Sequence, residues 1–163
     1  MASTTRVCFV CLGNICRSPT AEAIMAHRLG LEDVGVHVEV ESAGTGDWHV
    51  GHPPDERALE EATRRGVPMG GTAQQFTAAD FDRFDLVLAM DSANREALRA
   101  LAPTPQAAEK VHLLREFDPQ AHGDLDVPDP YFGGADGFVD VFDMVDRSIT
   151  GLIAHIGSTH AQG

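Results

Sequence analysis

A cysteine and an arginine separated by five residues lie near the start of the chain, in the segment CLGNICRS from Cys11 to Ser18. The segment follows an apolar run and precedes a Ser-Pro helix start, so its tight turn should direct several backbone N–H groups into one concavity. Such a concavity suits a phosphate dianion and stabilises a thiolate, the nucleophilic form of cysteine. Arg17 can bind two phosphate oxygens, and Gly13 gives the backbone the conformational freedom that a tight turn needs. Ser18 can donate a hydrogen bond to a departing thiolate. The pattern predicts that Cys11 attacks phosphorus.

The elements around this segment alternate between short apolar runs and amphipathic helices. We predict strands at residues 6–11, 36–42, 85–90 and 111–114. We predict helices at 54–66, at 92–101, from Gly137 to about Ile156, and after the phosphate segment, with Ser18 as N-cap. This order predicts a single-domain α/β fold, a four-stranded parallel sheet flanked by helices on both faces. The phosphate-binding loop then joins strand 1 to helix 1, at the carboxyl edge where such sheets bind ligands.

Composition narrows the possible partners and the compartment. The net charge is −13, from 25 acidic and 12 basic residues, so neither nucleic acid nor an anionic membrane surface is an expected partner. The first apolar run, at residues 7–12, is too short for a signal peptide or a membrane span, which favours a cytoplasmic location. A chain of 163 residues fits one domain, residues 1–163, with a frayed tail from about residue 157. The sequence carries no signal of oligomeric state.

The three cysteines, Cys8, Cys11 and Cys16, lie within nine positions. An odd, clustered set indicates thiol chemistry or a metal rather than a disulfide framework. No fourth ligand stands at metal-binding spacing from them, and the pair His49 and His52 lacks a third ligand, so we expect neither metal nor cofactor. Cys8 points to the opposite face of the strand from Cys11 and is predicted to belong to the core.

Asp129 is a second candidate for chemistry. It lies between Pro128 and Pro130 in a loop that also carries Asp124 and Asp126. Prolines stiffen a loop and reduce the entropy lost when a side chain is positioned. Such a loop alone is typical of an ordinary solvated turn; beside a phosphate-binding cysteine segment it predicts a general acid.

Five stretches of the chain together resemble the low-molecular-weight protein tyrosine phosphatases, in the family's order and at its distances. They are residues 11–22 (CLGNICRSPTAE), 42–49 (SAGTGDWH), 53–55 (PPD), 89–94 (AMDSAN) and 129–132 (DPYF). The resemblance implies hydrolysis of phosphotyrosine in protein substrates without a metal. Cys11 would form a phosphocysteine, Arg17 would clamp the phosphate, and Asp129 would act as acid and then as base.

The resemblance also implies roles for the other site residues. The phosphate would be bound by the loop residues Leu12, Gly13, Asn14, Ile15, Cys16 and Ser18. Asn14 would hold the loop in its unusual turn, steadied by the hydroxyl of Ser42. The slot for a flat phenyl phosphate would be formed by Trp48, His49, Tyr131 and Phe132, with the histidine at its mouth. Cys16 is expected to form a reversible disulfide with Cys11 that prevents over-oxidation, unless it simply fits a cramped position.

Two positions depart from the family pattern. Gly71 stands where many relatives carry a histidine that braces the phosphate loop, so the brace is either missing or supplied by another group. Phe132 stands where a tyrosine is frequent, which removes a hydroxyl and keeps the ring. Neither change affects the nucleophile, the arginine or the acid.

Three rival functions are separated by particular residues. Protein-arginine phosphatases of this fold carry threonine where Ile15 stands, and an apolar side chain there favours an aromatic substrate. Thioredoxin-coupled arsenate reductases relay oxidation through two further cysteines, whereas this chain has none after Cys16. A non-catalytic phosphotyrosine-binding module would be expected to lack Cys11, Arg17 or Asp129.

Overall fold

The computed structural model describes residues 4–131 and 133–161. Its strands and helices, in chain order, are β1 (Thr4–Cys11), α1 (Arg17–Leu29), β2 (His37–Gly44), α2 (Glu56–Arg64), β3 (Leu86–Ala89), α3 (Ser92–Leu101), α4 (Pro105–Ala108), β4 (Val111–Leu113) and α5 (Ala135–Ala161). Helix α4 and two 3₁₀ helices, Ala78–Asp82 and Leu114–Phe117, were not predicted. Among the helices described here, none is long and apolar enough to cross a membrane.

The four strands form one parallel sheet in the order β2-β1-β3-β4, which confirms the predicted fold class. On one face Val7 and Phe9 pack with α1 and α5, and on the other Cys8 and Val10 pack with α3 and the phenylalanines of residues 76–84. Cys8 is buried on this second face, which confirms its predicted place in the core. β1 is central and covered on both faces, so the segment after Cys11 leaves the middle of the sheet's carboxyl edge.

Several element ends differ from the prediction. α1 begins at Arg17 with Cys16 at its N-cap position, so the prediction of Ser18 as N-cap is wrong. The hydroxyl of Ser18 is instead turned into the loop, where Cys11 and Asn14 supply its partners. α5 extends to Ala161, so residues 157–161 continue the helix that the sequence analysis ended near Ile156.

Candidate active site

The segment from Cys11 to Arg17 forms a tight turn whose carbonyl groups point outward. The carbonyls of Cys11 and Leu12 accept hydrogen bonds from the amides of Thr45 and Gly46, each at 2.9 Å, and that of Ile15 accepts one from Asp55 at 2.8 Å. In a trans peptide the N–H lies opposite the C=O. The amides that follow these carbonyls therefore point to the concave side of the turn, where they can bind an anion.

Asn14 fixes this turn through its backbone and its side chain. Its φ of 56° is left-handed, a region that asparagine tolerates better than most residues. Its side-chain nitrogen donates to the hydroxyls of Ser18 (2.8 Å) and Ser42 (3.0 Å), and its side-chain oxygen accepts from the amide of Gln74 (3.0 Å). Asn14 and Ser42 are thus placed together as the sequence analysis expected.

The Gln74 contact bears on the departure at Gly71. Gly71 lies on the far side of a small cavity that Asn14 and Ser42 also line, and a Cβ built on it would meet nothing within 4 Å. The loop of residues 71–74 nevertheless reaches Asn14 through the backbone amide of Gln74. The side chain of Gln74 also donates to the carbonyl of Ser42 at 2.9 Å. The bond to Asn14 braces the phosphate loop without a histidine, and the bond to Ser42 holds Gln74 against β2.

The sulfur of Cys11 lies at the bottom of the turn with two polar neighbours. The amide of Asn14 donates to it at 3.2 Å, and the hydroxyl of Ser18 lies 3.0 Å away. Because the hydroxyl of Ser18 already accepts from Asn14, its proton is available to the sulfur or to the carbonyl of Ala43 at 3.3 Å. Both neighbours are placed to donate hydrogen bonds to the sulfur.

Arg17 is almost completely buried, with 2% of its surface exposed. One terminal nitrogen donates to Asp91 (2.6 Å) and to the carbonyl of Val127 (3.0 Å), while the other lies 3.6 Å from a carboxylate oxygen of Asp129. Burial alone lowers the pKa of Arg17, but Cys11 and Asp91 outweigh it and the net shift is upward. The guanidinium is therefore permanently charged and held in one orientation beside the sulfur.

Asp129 is brought to the same pocket by the loop that precedes α5. Its carboxylate accepts a hydrogen bond from the amide of Tyr131 at 3.0 Å, and its other oxygen faces Arg17. The side chain stays 39% exposed, so water can reach it. The structure thus places an acid, a guanidinium and a thiol around one space.

The walls of this space are mostly apolar, with the charged groups of Arg17 and Asp129 among them. The pocket measures about 140 Å³ and is lined by loop residues together with Trp48, His49, Asp129 and Tyr131. A protein cavity of about 150 Å³ holds benzene, so one aromatic ring fits. Trp48 is 68% exposed, so it lies at the rim of the pocket and not in the core. Phe132, the fourth predicted wall residue, lies outside the described residues.

Gly13 and Ile15 shape the floor of the pocket. A Cβ on Gly13 would lie 3.0 Å from the imidazole of His49, so the glycine lets that ring close over the loop. Ile15 is 9% exposed and packs against Phe138 while it lines the pocket. The floor therefore offers an apolar surface rather than a hydroxyl.

Cys16 lies on the buried side of the loop, and burial raises the pKa of its thiol to about 12. All three cysteines are free. The reversible disulfide between Cys16 and Cys11 remains a prediction.

The sequence analysis missed three polar residues that hold the site. Asp91 orients Arg17; it follows strand β3, next to β1 in the sheet, and an acid at that carboxyl edge was a usable signal. Glu22 accepts from the hydroxyl of Ser42 at 2.5 Å, and desolvation raises its pKa. Gln74 acts through its backbone amide, for which the sequence gives no signal. Across the described residues no three His, Cys, Asp or Glu side chains are grouped as metal ligands.

Comparisons with known proteins agree with this geometry. Residues 6–162 match the family described as low molecular weight phosphotyrosine protein phosphatase. A low molecular weight protein-tyrosine-phosphatase of Streptomyces coelicolor is 51% identical over 154 residues, which cover 94% of each chain.

Solved structures extend the similarity to the fold. A protein tyrosine phosphatase from Entamoeba histolytica, with Hepes in its active site, superposes with a TM-score of 0.86 at 33% identity and covers 96% of this chain and 99% of its own. A Drosophila arginine phosphatase superposes with a TM-score of 0.82 at 33% identity and covers 92% of this chain and 96% of its own. The fold alone therefore does not separate the two substrate classes.

Proposed function

Because this chain belongs to the low molecular weight phosphotyrosine protein phosphatase family, we propose that it hydrolyses phosphotyrosine in protein substrates through a phosphocysteine intermediate. The observation that carries the proposal is the meeting of Cys11, Arg17 and Asp129 in one pocket with room for an aromatic ring. The proposed phosphate-binding loop is completed by Leu12, Gly13, Asn14, Ile15, Cys16 and Ser18. Ser42 supports this loop.

In the first proposed step the thiolate of Cys11 attacks phosphorus in line with the tyrosine oxygen. The S–P bond forms as the P–O bond to the phenol breaks, and Asp129 transfers its proton to the leaving oxygen. Arg17 and the inward-pointing amides bind the three non-bridging oxygens, and these donors are already in place before the reaction. The products of this step are the tyrosine side chain, phosphocysteine and the Asp129 carboxylate.

In the second step the Asp129 carboxylate removes a proton from water as that water attacks phosphorus. The S–P bond breaks, inorganic phosphate leaves, and the electron pair returns to Cys11 as a thiolate. The hydroxyl of Ser18, 3.0 Å from the sulfur, donates to this leaving thiolate. The enzyme returns to its starting protonation state.

Substrate choice follows from the apolar lining. Ile15 offers a guanidino group no hydrogen bond, whereas an aromatic ring packs on Ile15 between Trp48 and Tyr131. We therefore assign phosphotyrosine rather than phosphoarginine, which the similarity to the Drosophila enzyme makes the specific alternative. His49 and Phe132 are proposed to complete the walls.

A cytoplasmic, bacterial setting and a single domain over residues 1–163 are part of the same proposal. The cytoplasm keeps thiols reduced, which suits a thiolate nucleophile. The relative from Streptomyces coelicolor is bacterial and matches 94% of the chain.

The test is steady-state hydrolysis of a phosphotyrosine peptide and of phosphoarginine, with a chelator present. We expect kcat/KM for phosphotyrosine to exceed that for phosphoarginine by at least about tenfold, and Cys11→Ser to abolish both activities. Ile15→Thr should narrow the difference. A wild-type preference for phosphoarginine would transfer the assignment to that class, and binding of the peptide without turnover would indicate a non-catalytic module.

A further inference from the structure

Arg57, in the first turn of α2, reaches across to the loop between Asp129 and the start of α5, which we call the acid loop. Its guanidinium donates to the carbonyl of Tyr131 at 3.0 Å and to that of Gly133 at 3.2 Å. It also lies 5.7 Å from the ring centroid of Tyr131 and 4.6 Å from that of Phe138, at the start of α5. One side chain thus contacts this loop at two carbonyls and one ring, and contacts α5 at a second ring.

These contacts lead directly to the carboxylate of Asp129. Tyr131 donates its amide to Asp129 at 3.0 Å, while its carbonyl accepts from Arg57. The carboxylate and the guanidinium are therefore connected through one residue. Loss of the Arg57 side chain would therefore remove a support of the residue that positions Asp129.

The opposite end of the connection lies on the phosphate loop. Asp55 caps α2 and holds Arg57 in a fork, with its two oxygens each 3.1 Å from a guanidinium nitrogen. The amide of Asp55 donates to the carbonyl of Ile15 at 2.8 Å. Hydrogen bonds from Arg57 lower the pKa of Asp55, so the pair stays charged at neutral pH. A continuous chain of hydrogen bonds therefore runs from the phosphate loop through Asp55 and Arg57 to the acid loop.

We propose that Arg57 is a positioning residue for the general acid: together with Asp55 it ties the acid loop to the phosphate loop and sets the distance between Asp129 and Cys11. The inference rests on the proposed function, because it assigns Asp129 the protonation of the leaving group. Arg57 itself lines no part of the pocket. Substitution of Arg57 should therefore lower kcat/KM most for substrates whose leaving group needs a proton, and should leave phosphate binding unchanged.

The test compares two substrates that differ in this need. Phenyl phosphate needs a proton on its leaving oxygen, whereas 2,4-dinitrophenyl phosphate releases a stable phenolate without one. Arg57→Met should lower kcat/KM for phenyl phosphate by roughly tenfold and that for the dinitrophenyl ester by less than about twofold, because small displacements of an acid are costly. In an Asp129→Ala background Arg57→Met should cause no further loss.

Arg64→Met is the matched control: Arg64 also lies on α2, its side chain is 69% exposed, and it forms an ion pair with Glu61 at 3.2 Å. It should leave both substrates unchanged. Asp55→Asn keeps an oxygen for the helix cap and weakens the fork, so it should reproduce the selective loss if Arg57→Met does not fold. Equal losses on both substrates, no loss, or an additive loss in the Asp129→Ala background would overturn the inference. A wild type inactive on phosphotyrosine would overturn the proposed function as well.

Discussion

Gly44, the last residue of β2, lies against the backbone of the phosphate loop. A Cβ at this position would lie 2.8 Å from the carbonyl oxygen of Leu12 and 3.2 Å from both the amide nitrogen of Asn14 and the carbonyl carbon of Gly13. The strand cannot withdraw to make room. Gly44 pairs with Cys11 in the sheet, and its own amide and carbonyl bond the segment of residues 74–76 at 2.8 Å each.

Gly44→Ala must therefore displace the loop rather than the strand. Ordinary van der Waals contact for such a Cβ begins near 3.4 Å, so the contact with Leu12 is too close by about 0.6 Å. A misplacement of about 1 Å in an active site costs about 10²-fold in rate, so roughly half of that costs about tenfold, equivalent to about 1.4 kcal/mol. Overpacking should also cost about 1–3 kcal/mol of stability.

The assay is kcat/KM for phenyl phosphate, together with the inhibition constant of inorganic phosphate and urea unfolding. We expect Gly44→Ala to weaken phosphate inhibition and reduce kcat/KM by similar factors, because one loop binds phosphate in the ground state and in the transition state. Gly70→Ala is the control, since its Cβ would meet nothing within 4 Å. A Gly44→Ala protein with phosphate affinity and kcat/KM within twofold of wild type would refute the reasoning.

Three further predictions concern reactivity and stability. Because burial raises the pKa of Cys16 to about 12, iodoacetamide should modify Cys11 in the folded protein and leave Cys16 intact, which peptide mass mapping measures; comparable labelling of both would contradict the assignment. Gly71→Ala should lower the free energy of unfolding by about 1 kcal/mol relative to Gly70→Ala, because Gly71 has a φ of +84°; equal urea midpoints would contradict it. Burial alone would raise the pKa of Asp118, but a backbone amide and two arginine side chains outweigh it and lower that pKa. Its stabilising charge is therefore present above the ordinary carboxyl pKa and lost as pH falls through the lower folded-state value. Asp118→Asn should cost about 2 kcal/mol near neutral pH, the size of a hydrogen bond to a charged group. The difference from wild type should shrink in urea titrations at strongly acid pH, and a difference that does not change with pH would contradict this.

The sequence predicted those parts of the site that act within one segment. Cys11, Arg17 and Ser18 lie within eight positions between a strand and a helix, so their meeting follows from local geometry. Helix α3 was predicted with both ends correct; Asp91 caps its start, and Pro103 follows its end.

Contacts between distant segments were the part that could not be predicted. Arg57 donates to backbone carbonyls of residues 74 and 76 positions away in the sequence. Every residue has such a carbonyl, so residue type does not indicate which one a distant arginine will contact. The Ser18 cap was predicted wrongly because the hydroxyl had a stronger competing use beside Cys11. Gly71 has no side chain to brace the phosphate loop, and the backbone amide of Gln74 contacts Asn14 instead. Residue type does not indicate such a backbone contact.

Cys11 as nucleophile is the central claim, and trapping the intermediate tests it most directly. A rapid acid quench of the enzyme during turnover of a phosphotyrosine peptide, followed by peptide mass mapping, should recover phosphate on the peptide that contains Cys11. Cys11→Ser should yield neither the adduct nor free phosphate. Phosphate recovered on another residue, or turnover that continues in Cys11→Ser, would contradict the account.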